Sequence, residues 1–284
     1  MISVKKRIIS RFDIKGPNLV KGVNLEGLRV IGKPEFFADL YYKDNIDEII
    51  FQDCVASLYG RNNLKNIISK VSKNIFVPLT VGGGLRNLKD VKNVLHAGAD
   101  RVSINSEGIK NPKFIDELVK EFGSSTIACQ IQVQKKLDRN YLCFYENGRQ
   151  ETDLDPLEWA MKLQDMNVGE IILTFINFDG TGKGFDNKLI KELRNKLDIP
   201  LVVSGGIGNK LQVLETFKNN VDGVAVSSAF HYFYLKQNLD IIRSEKYSEG
   251  NLDYINNIDI NELKNNFSII ELKNFLKQNS INCR

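Results

Sequence analysis

The strongest constraint on this chain is an internal repeat. The segment PLTVGGGLRN, from Pro78, aligns without a gap on PLVVSGGIGN, from Pro200, at an offset of 122 residues. The same offset lays Glu48-Ile49-Ile50 on Glu170-Ile171-Ile172 and Ser106 on Ser228. One offset held over so much of 284 residues implies two similar half-domains of about four β-α units each. Short apolar runs alternate with amphipathic stretches throughout. Strands are expected at 7–14, 48–56, 76–83, 101–105, 126–133, 170–175, 200–206 and 223–230. Their near-continuous apolarity suits a parallel sheet covered on both faces. Helices are expected between them, such as 87–98, opened by Asn87 and closed by Gly98, and 156–166, with Pro156 in the first turn. Eight such alternations with a twofold repeat predict a single α/β domain over residues 1–284, a (β/α)8 TIM barrel built from two half-barrel repeats. An open doubly wound sheet is the alternative.

Two stretches break the regularity. Residues 137–151 alternate with period two around Glu146-Asn147-Gly148, which reads as a β-hairpin inserted after the fifth strand. Residues 235–266 are polar and Asn-rich, an insertion between the eighth strand and a final helix.

Composition narrows the function. With 39 basic and 35 acidic side chains the net charge is +4, too weak for the concentrated basic stripe of a nucleic-acid binder. The four cysteines have no CxxC spacing, so neither zinc nor a disulfide framework is expected, and Cys54 and Cys129 read as buried thiols. No metal or cofactor is called for. No leader-like segment and no membrane-length apolar run occurs, so a cytoplasmic protein is expected.

In such a barrel the chemistry sits at the C-terminal ends of the strands. Gly83 and Gly84 end the third strand, and Gly205 and Gly206 the seventh. Glycines there let backbone N–H groups approach a phosphate. Asn105-Ser106 and Ser227-Ser228 follow on the next strands, each ahead of a helix N-terminus that favours anions. One glycine turn alone would be only a tight turn. Two, related by the repeat, predict a ligand with a phosphate at each end. Thr174, Asp179, Gly180 and Thr181 lie near the second site, although Asp-Gly is also a plain turn. Asp13 ends the first strand as a candidate general acid or base, or else a loop cap. Lys21, in the long loop after it, is placed to reach a phosphate or polarise a carbonyl. Asp53 ends the second strand, in an orienting or a structural role. At the opposite rim, Arg7, Glu48, Arg101 and Glu170 start strands one, two, four and six. They form either a ring of ion pairs or unrelated solvated charges.

These residues, with DEIIFQDCVAS, GADRVSINS, DGTGKGFD and VSSAFH, make the chain resemble the cyclase subunit of imidazole glycerol phosphate synthase over nearly its whole length. The resemblance implies a half-barrel duplication and a doubly phosphorylated ribulosyl-aminoimidazole substrate. It also implies ammonia delivered by a separate glutaminase docked at the barrel floor. By resemblance, Arg7, Glu48, Arg101 and Glu170 fall on a charged gate to an ammonia channel, with Arg101 where lysine is usual, and Asp100 on a glutaminase contact. The family's first catalytic aspartate falls on Asp13, but the second falls on Gln132, whose amide cannot exchange a proton near neutral pH. The expectation is therefore an ammonia-using lyase/cyclase subunit of histidine biosynthesis. The alternatives are a paralogue that helps form amidines on a surface-glycan sugar, and a non-catalytic scaffold and ammonia conduit.

Overall fold

The computed structural model describes residues 5–56, 64–136, 141–259 and 267–284. Eight parallel strands close on themselves in the order β10 (Glu170–Phe175), β11 (Leu201–Ser204), β12 (Gly223–Val226), β1 (Arg7–Lys15), β4 (Glu48–Asp53), β5 (Leu79–Gly82), β6 (Arg101–Ile104) and β7 (Ile127–Lys135). Pairing of β7 with β10 completes the (β/α)8 barrel. Helices follow the strands and cover the outside. The repeat is visible in the structure as well. The bounds of β4, β5 and β6 plus 122 are those of β10, β11 and β12, and helix Leu88–His96 maps in the same way onto Lys210–Lys218. Both helices are capped by an asparagine side chain, Asn87 and Asn209, which accepts from the backbone N–H three residues on. Asp100 and Asp222, also 122 apart, each accept the amide at the start of a strand, that of Leu79 (2.8 Å) and that of Leu201 (2.9 Å).

Period-two alternation divides each strand between two cores. On β1, Ile8, Phe12 and Ile14 join the large apolar layer beneath the helices, beside Phe37 and Tyr41. Ile9 faces inward and meets Ile50, Ala128, Ile172, Val202 and Ala225 in a dry layer across the bore.

The loops differ from the sequence reading. The stretch after β1, expected as a long loop, is an antiparallel hairpin of β2 (Asn18–Val23) and β3 (Glu26–Gly32). The 137–151 region contributes β8 (Tyr141–Tyr145) and β9 (Gln150–Glu151), joined through positive-φ Glu146, Asn147 and Gly148, with residues 137–140 outside the described set. Its first partner is the fifth barrel strand itself, because β7 runs past the barrel rim and pairs antiparallel with β8. Both half-barrels thus open with a strand that leaves the barrel and carries a hairpin. Of the polar 235–266 stretch, 235–237 complete helix Ser228–Gln237, short helices occupy Leu239–Ser244 and Asp253–Asn257, and 260–266 lie outside the described residues. This stretch packs on the first hairpin. Asn18 donates to the Glu249 carbonyl (2.6 Å), Lys33 lies over Tyr247 and Arg29 over Tyr254. Cys54 and Cys129 are buried free thiols.

Candidate active site

The sequence of β1 threads charge through the barrel. Arg7, Ile9, Arg11 and Asp13 share its inner face, two residues apart, so one strand supplies the floor, the dry layer and the mouth. At the mouth, Asp13 is 1% exposed and both of its oxygens are taken. Arg11 Nε donates to Oδ1 (3.0 Å) and Lys21 Nζ to Oδ2 (3.0 Å). Lys21 also donates to Asp179 Oδ1 (2.6 Å), giving a linear row Arg11–Asp13–Lys21–Asp179 of two cations and two anions. Burial alone would favour a neutral Asp13. The Arg11 guanidinium and then the Lys21 ammonium override it and hold the carboxyl well below the usual carboxylate range. Lys21 is likewise held charged: burial opposes this, and Asp179 and Asp13 outweigh it. Asp13 is therefore a standing carboxylate, able to accept a proton or stabilise positive charge but not stocked with a proton to give.

This geometry corrects two expectations. Lys21 is on strand β2, not in a loop, and its ammonium is clamped between two carboxylates rather than extended to a phosphate. Asp179 anchors Lys21 and, as a carboxylate, supplies no donor to an anion. Gly180 packs its backbone against Gly22, and the Thr181 hydroxyl donates to the Phe178 carbonyl (2.7 Å), so the 179–181 turn buttresses the hairpin.

Gln132 occupies on β7 the place that Asp13 holds on β1: each is where its barrel strand begins to pair with its hairpin. Gln132 is buried, and its Oε1 has no hydrogen-bond partner. Below it, Gln130 Nε2 (3.0 Å) and Arg11 Nη1 (3.3 Å) both donate to Thr174 Oγ1.

The two predicted phosphate positions have matching backbones. Gly83 and Gly205 have φ +95° and +89°. Asn105 and Ser227, each directly before a helix, have φ/ψ of −131°/−79° and −121°/−91°. Gly83, Gly84, Asn105 and Ser106 line one cleft that runs inward to Gln52, Gln130 and Gln132, with Lys110 at its edge. Part of its polar equipment is committed to the second hairpin: Asn105 Nδ2 donates to Phe144 O (3.2 Å), and Ser106 Oγ accepts from Glu146 N (2.9 Å). At the other position, Gly206 supports the 178–184 loop. It accepts the Gly184 amide (2.8 Å), and a Cβ on it would sit 2.1 Å from the Gly184 oxygen. The Ser227 hydroxyl is buried without a partner beside Ser228, which starts the next helix. Asp53 accepts the Val55 amide (3.0 Å) and its backbone backs Gly83.

At the floor the four expected charges meet. Arg7 binds Glu48 (3.0 Å) and Glu170 (2.5 Å), and Arg101 binds Glu170 (3.0 Å) and stands 3.9 Å from Glu48. Arg284 adds a contact to Glu48 (3.5 Å). Burial pushes the Glu48 carboxyl up against the pull of Arg7. Asp100, beside this ring, is bound to the Leu79 amide. Next to it, exposed Phe76 borders a cleft of about 390 Å³ formed with Val71, Ile75 and Pro78.

The family model for "Histidine biosynthesis protein" matches residues 7–236, a span that holds the whole barrel and both charged layers. A protein named imidazole glycerol phosphate synthase subunit HisF from Legionella pneumophila is 45% identical over 202 residues, 71% of this chain and 95% of the relative. The chain belongs to the HisF family. Proteins of the same name from Bacillus cereus (strain G9842) and Petrotoga mobilis are 40% and 39% identical, covering 80% and 83% of this chain and 90% and 94% of theirs. The family match ends at residue 236, so most of the polar insertion lies beyond it.

Three residues of this HisF-family mouth escaped the sequence reading. Arg11, 1% exposed, was legible in principle, being two residues from Asp13 and therefore on the same face. Gln130 stands in the same relation to Gln132. His231 backs β1 from the helix side. Its Nδ1 lies 2.6 Å from the Tyr41 hydroxyl and its Nε2 3.0 Å from the Arg11 carbonyl. Burial, aided by Lys21, lowers its pKa to about 3, so it is a neutral strut. Among the described residues no group of His, Cys, Asp or Glu is arranged to hold a metal, and no helix is long and apolar enough to cross a membrane.

Proposed function

We propose that this chain is the ammonia-using lyase/cyclase subunit of an imidazole glycerol phosphate synthase. It takes a bisphosphorylated ribulosyl-aminoimidazole substrate across the barrel mouth and receives ammonia at the floor from a docked glutaminase. The observation that carries this is the pairing, by the 122-residue repeat, of two phosphate-type backbone sites on either side of the ionised Asp13, in a chain 45% identical to a HisF subunit. Gly83, Gly84, Asn105 and Ser106 would hold one phosphate, and Gly205, Gly206, Ser227 and Ser228 the other. The 179–181 turn and Thr174 would frame the second site. Asp13 would accept the proton released as ring closure proceeds, while Gln132 holds the substrate by hydrogen bonds. The relatives' names support this reading over amidine formation on a glycan or a non-catalytic scaffold.

The floor ring of Arg7, Glu48, Arg101 and Glu170 would be the ammonia gate, and the Phe76 cleft with Asp100 at its edge would belong to the docking face. Co-sedimentation with the glutaminase encoded by the same organism tests the partnership. A 1:1 complex that turns over the ribulosyl substrate with glutamine is expected. No complex at micromolar concentration, and no glutamine-driven turnover, would refute it.

A further inference from the structure

The first hairpin brings Lys21 to Asp13, yet its strand pairing is short. β2 pairs with β1 at three positions, Asp13–Val20, Ile14–Leu19 and Lys15–Asn18, and β3 pairs with β2 alone. Its tip is tied at Asn24, whose amide donates to the Asp179 carbonyl (2.8 Å). A two-stranded hairpin is marginal in water unless something packs on it. Residues 247–254, beyond the span of the family match, do so at both strands. On β2, buried Asn18 donates to the Glu249 carbonyl (2.6 Å) and accepts from Lys33 Nζ (3.0 Å), which lies over the Tyr247 ring. On β3, the Val30 amide donates to the Asn251 carbonyl (3.2 Å), on the edge that no strand covers. Arg29, the register partner of Lys21, lies 5.0 Å from the centre of the Tyr254 ring. The next residue, Ile255, is buried in the main core and anchors the segment. Gly250 has φ +94°, and a Cβ on it would meet Val30 Cγ2 at 2.6 Å, so this close approach needs glycine.

We propose that residues 247–254 are a strap that fixes the first hairpin on the barrel mouth, and that Gly250 and Tyr254 are positioning residues for Lys21. The proposal rests on the reading of Asp13 as the proton acceptor. The strap acts through the hairpin. To swing away, the hairpin must break the Asn18 and Val30 bonds and pull Arg29 and Lys33 off their rings. Lys21 therefore stays between Asp13 and Asp179, and Asp13 stands ionised before substrate arrives. A loosened strap lets the hairpin open more often, and each opening removes one of the two cations that hold Asp13 charged.

The test uses the full chain and two variants. Gly250→Ala adds one methyl group at the Val30 contact and changes no charge, and Tyr254→Leu removes the ring beneath Arg29. Both should speed amide hydrogen exchange over residues 18–32 by about tenfold, as one lost bond or stack would, with β4 and β5 exchanging at the wild-type rate. Ammonium-driven turnover of the ribulosyl substrate should show kcat lowered several-fold at neutral pH. The acid limb of kcat should move to higher pH, because with Lys21 withdrawn Asp13 is faced by Arg11, neutral His231 and the Cys54 thiol. Tyr254→Phe, which keeps the ring, should behave as the wild type in both measurements. Unchanged exchange over residues 18–32 in Gly250→Ala and Tyr254→Leu would overturn the strap. Faster exchange with kcat and its acid limb unmoved would overturn the positioning of Lys21. A wild type with no ammonium-driven turnover would overturn the cyclase reading, and the exchange rates would still decide the strap.

Discussion

The barrel carries a charged layer at each end, and both contain two anions and two main cations, but they are built differently. At the mouth, Arg11, Asp13, Lys21 and Asp179 form a linear row in which every member is at most 1% exposed. At the floor, Arg7, Glu48, Arg101 and Glu170 form a ring, with Arg101 part-exposed and Arg284 joining from the rim. The mouth row is fixed from two strands of a hairpin and a turn, and no member can move without leaving a buried charge unpaired. The floor ring has redundant pairings, since Glu170 has two arginines and Glu48 has three nearby. An ion-pair ring with spare partners can rearrange at small cost, which suits a gate. A fully buried row cannot, which suits a carboxylate that must stand ionised before the reaction begins.

The largest expected effect follows from that contrast. Lys21→Met leaves Asp179 a buried, unpaired carboxylate and Asp13 with Arg11 alone. It should cost about 3–5 kcal/mol in urea unfolding, in the range known for breaking a buried pair. Arg101→Ala at the floor should cost at most about 1 kcal/mol, because its side chain is partly solvated and Arg7 still neutralises Glu170. Similar losses for the two would erase the distinction.

Acid should separate the two layers in sign. Asp13 has a depressed folded pKa, so its contribution is present above the unfolded value near ~3.9 and is lost as pH falls below it. Glu48 has a raised folded pKa, so the folded state gains stability as pH falls through that raised value towards the unfolded ~4.3. Urea midpoints measured against pH should therefore show Glu48→Gln removing a gain in mildly acidic solution, while the wild type loses stability below about pH 4. A Glu48→Gln curve parallel to the wild type throughout would remove the difference.

Much of this was legible in the sequence, and the reason is the repeat. Pro78 and Pro200 fixed the offset, and with it the equivalence of Gly83 with Gly205 and of Asn105 with Ser227. Charges at strand starts are read directly, so Arg7, Glu48, Arg101 and Glu170 were placed at one rim. The hairpins were harder. β2 pairs with β1 through only three residues, Asn18, Leu19 and Val20, and positive φ at Asn24 and Leu25 makes its turn without a glycine, so no local signal separates it from a loop. The pairing of Lys21 with Asp179 was not legible, because it spans a sequence separation of 158 that only the closed barrel bridges. Arg11 was hidden by its neighbours: in an apolar strand, one buried arginine reads as an interruption until parity is counted.

A smaller effect sharpens the comparison inside the mouth. Gln132→Asp restores a second carboxylate opposite Asp13. If the glutamine merely weakens an otherwise ordinary cyclase, turnover of the ribulosyl substrate should rise by about 10-fold, at the low end of general acid–base contributions. If Gln132 instead holds the substrate by hydrogen bonds, the same change should raise the KM of the ribulosyl substrate, and separating kcat from KM in steady state distinguishes the two outcomes.

The floor offers the smallest and most selective effect. If the ring is the proposed ammonia gate, Arg101→Ala should lower glutamine-driven turnover in the complex while leaving turnover with added ammonium salt nearly unchanged, because such a gate would matter only to ammonia entering from a partner. Equal losses in both assays would move Arg101 out of the gate.

The central claim is that the Asp13 carboxylate, held ionised in the resting site, is the proton acceptor for ammonia-dependent cyclisation. Its most direct test is the steady-state kcat of the wild type and of Asp13→Asn with the ribulosyl substrate and saturating ammonium salt, at a temperature where circular dichroism shows both folded. The amide cannot take up the proton, so kcat should fall by about 10²–10⁴-fold. An Asp13→Asn protein that turns over at the wild-type rate would contradict the account.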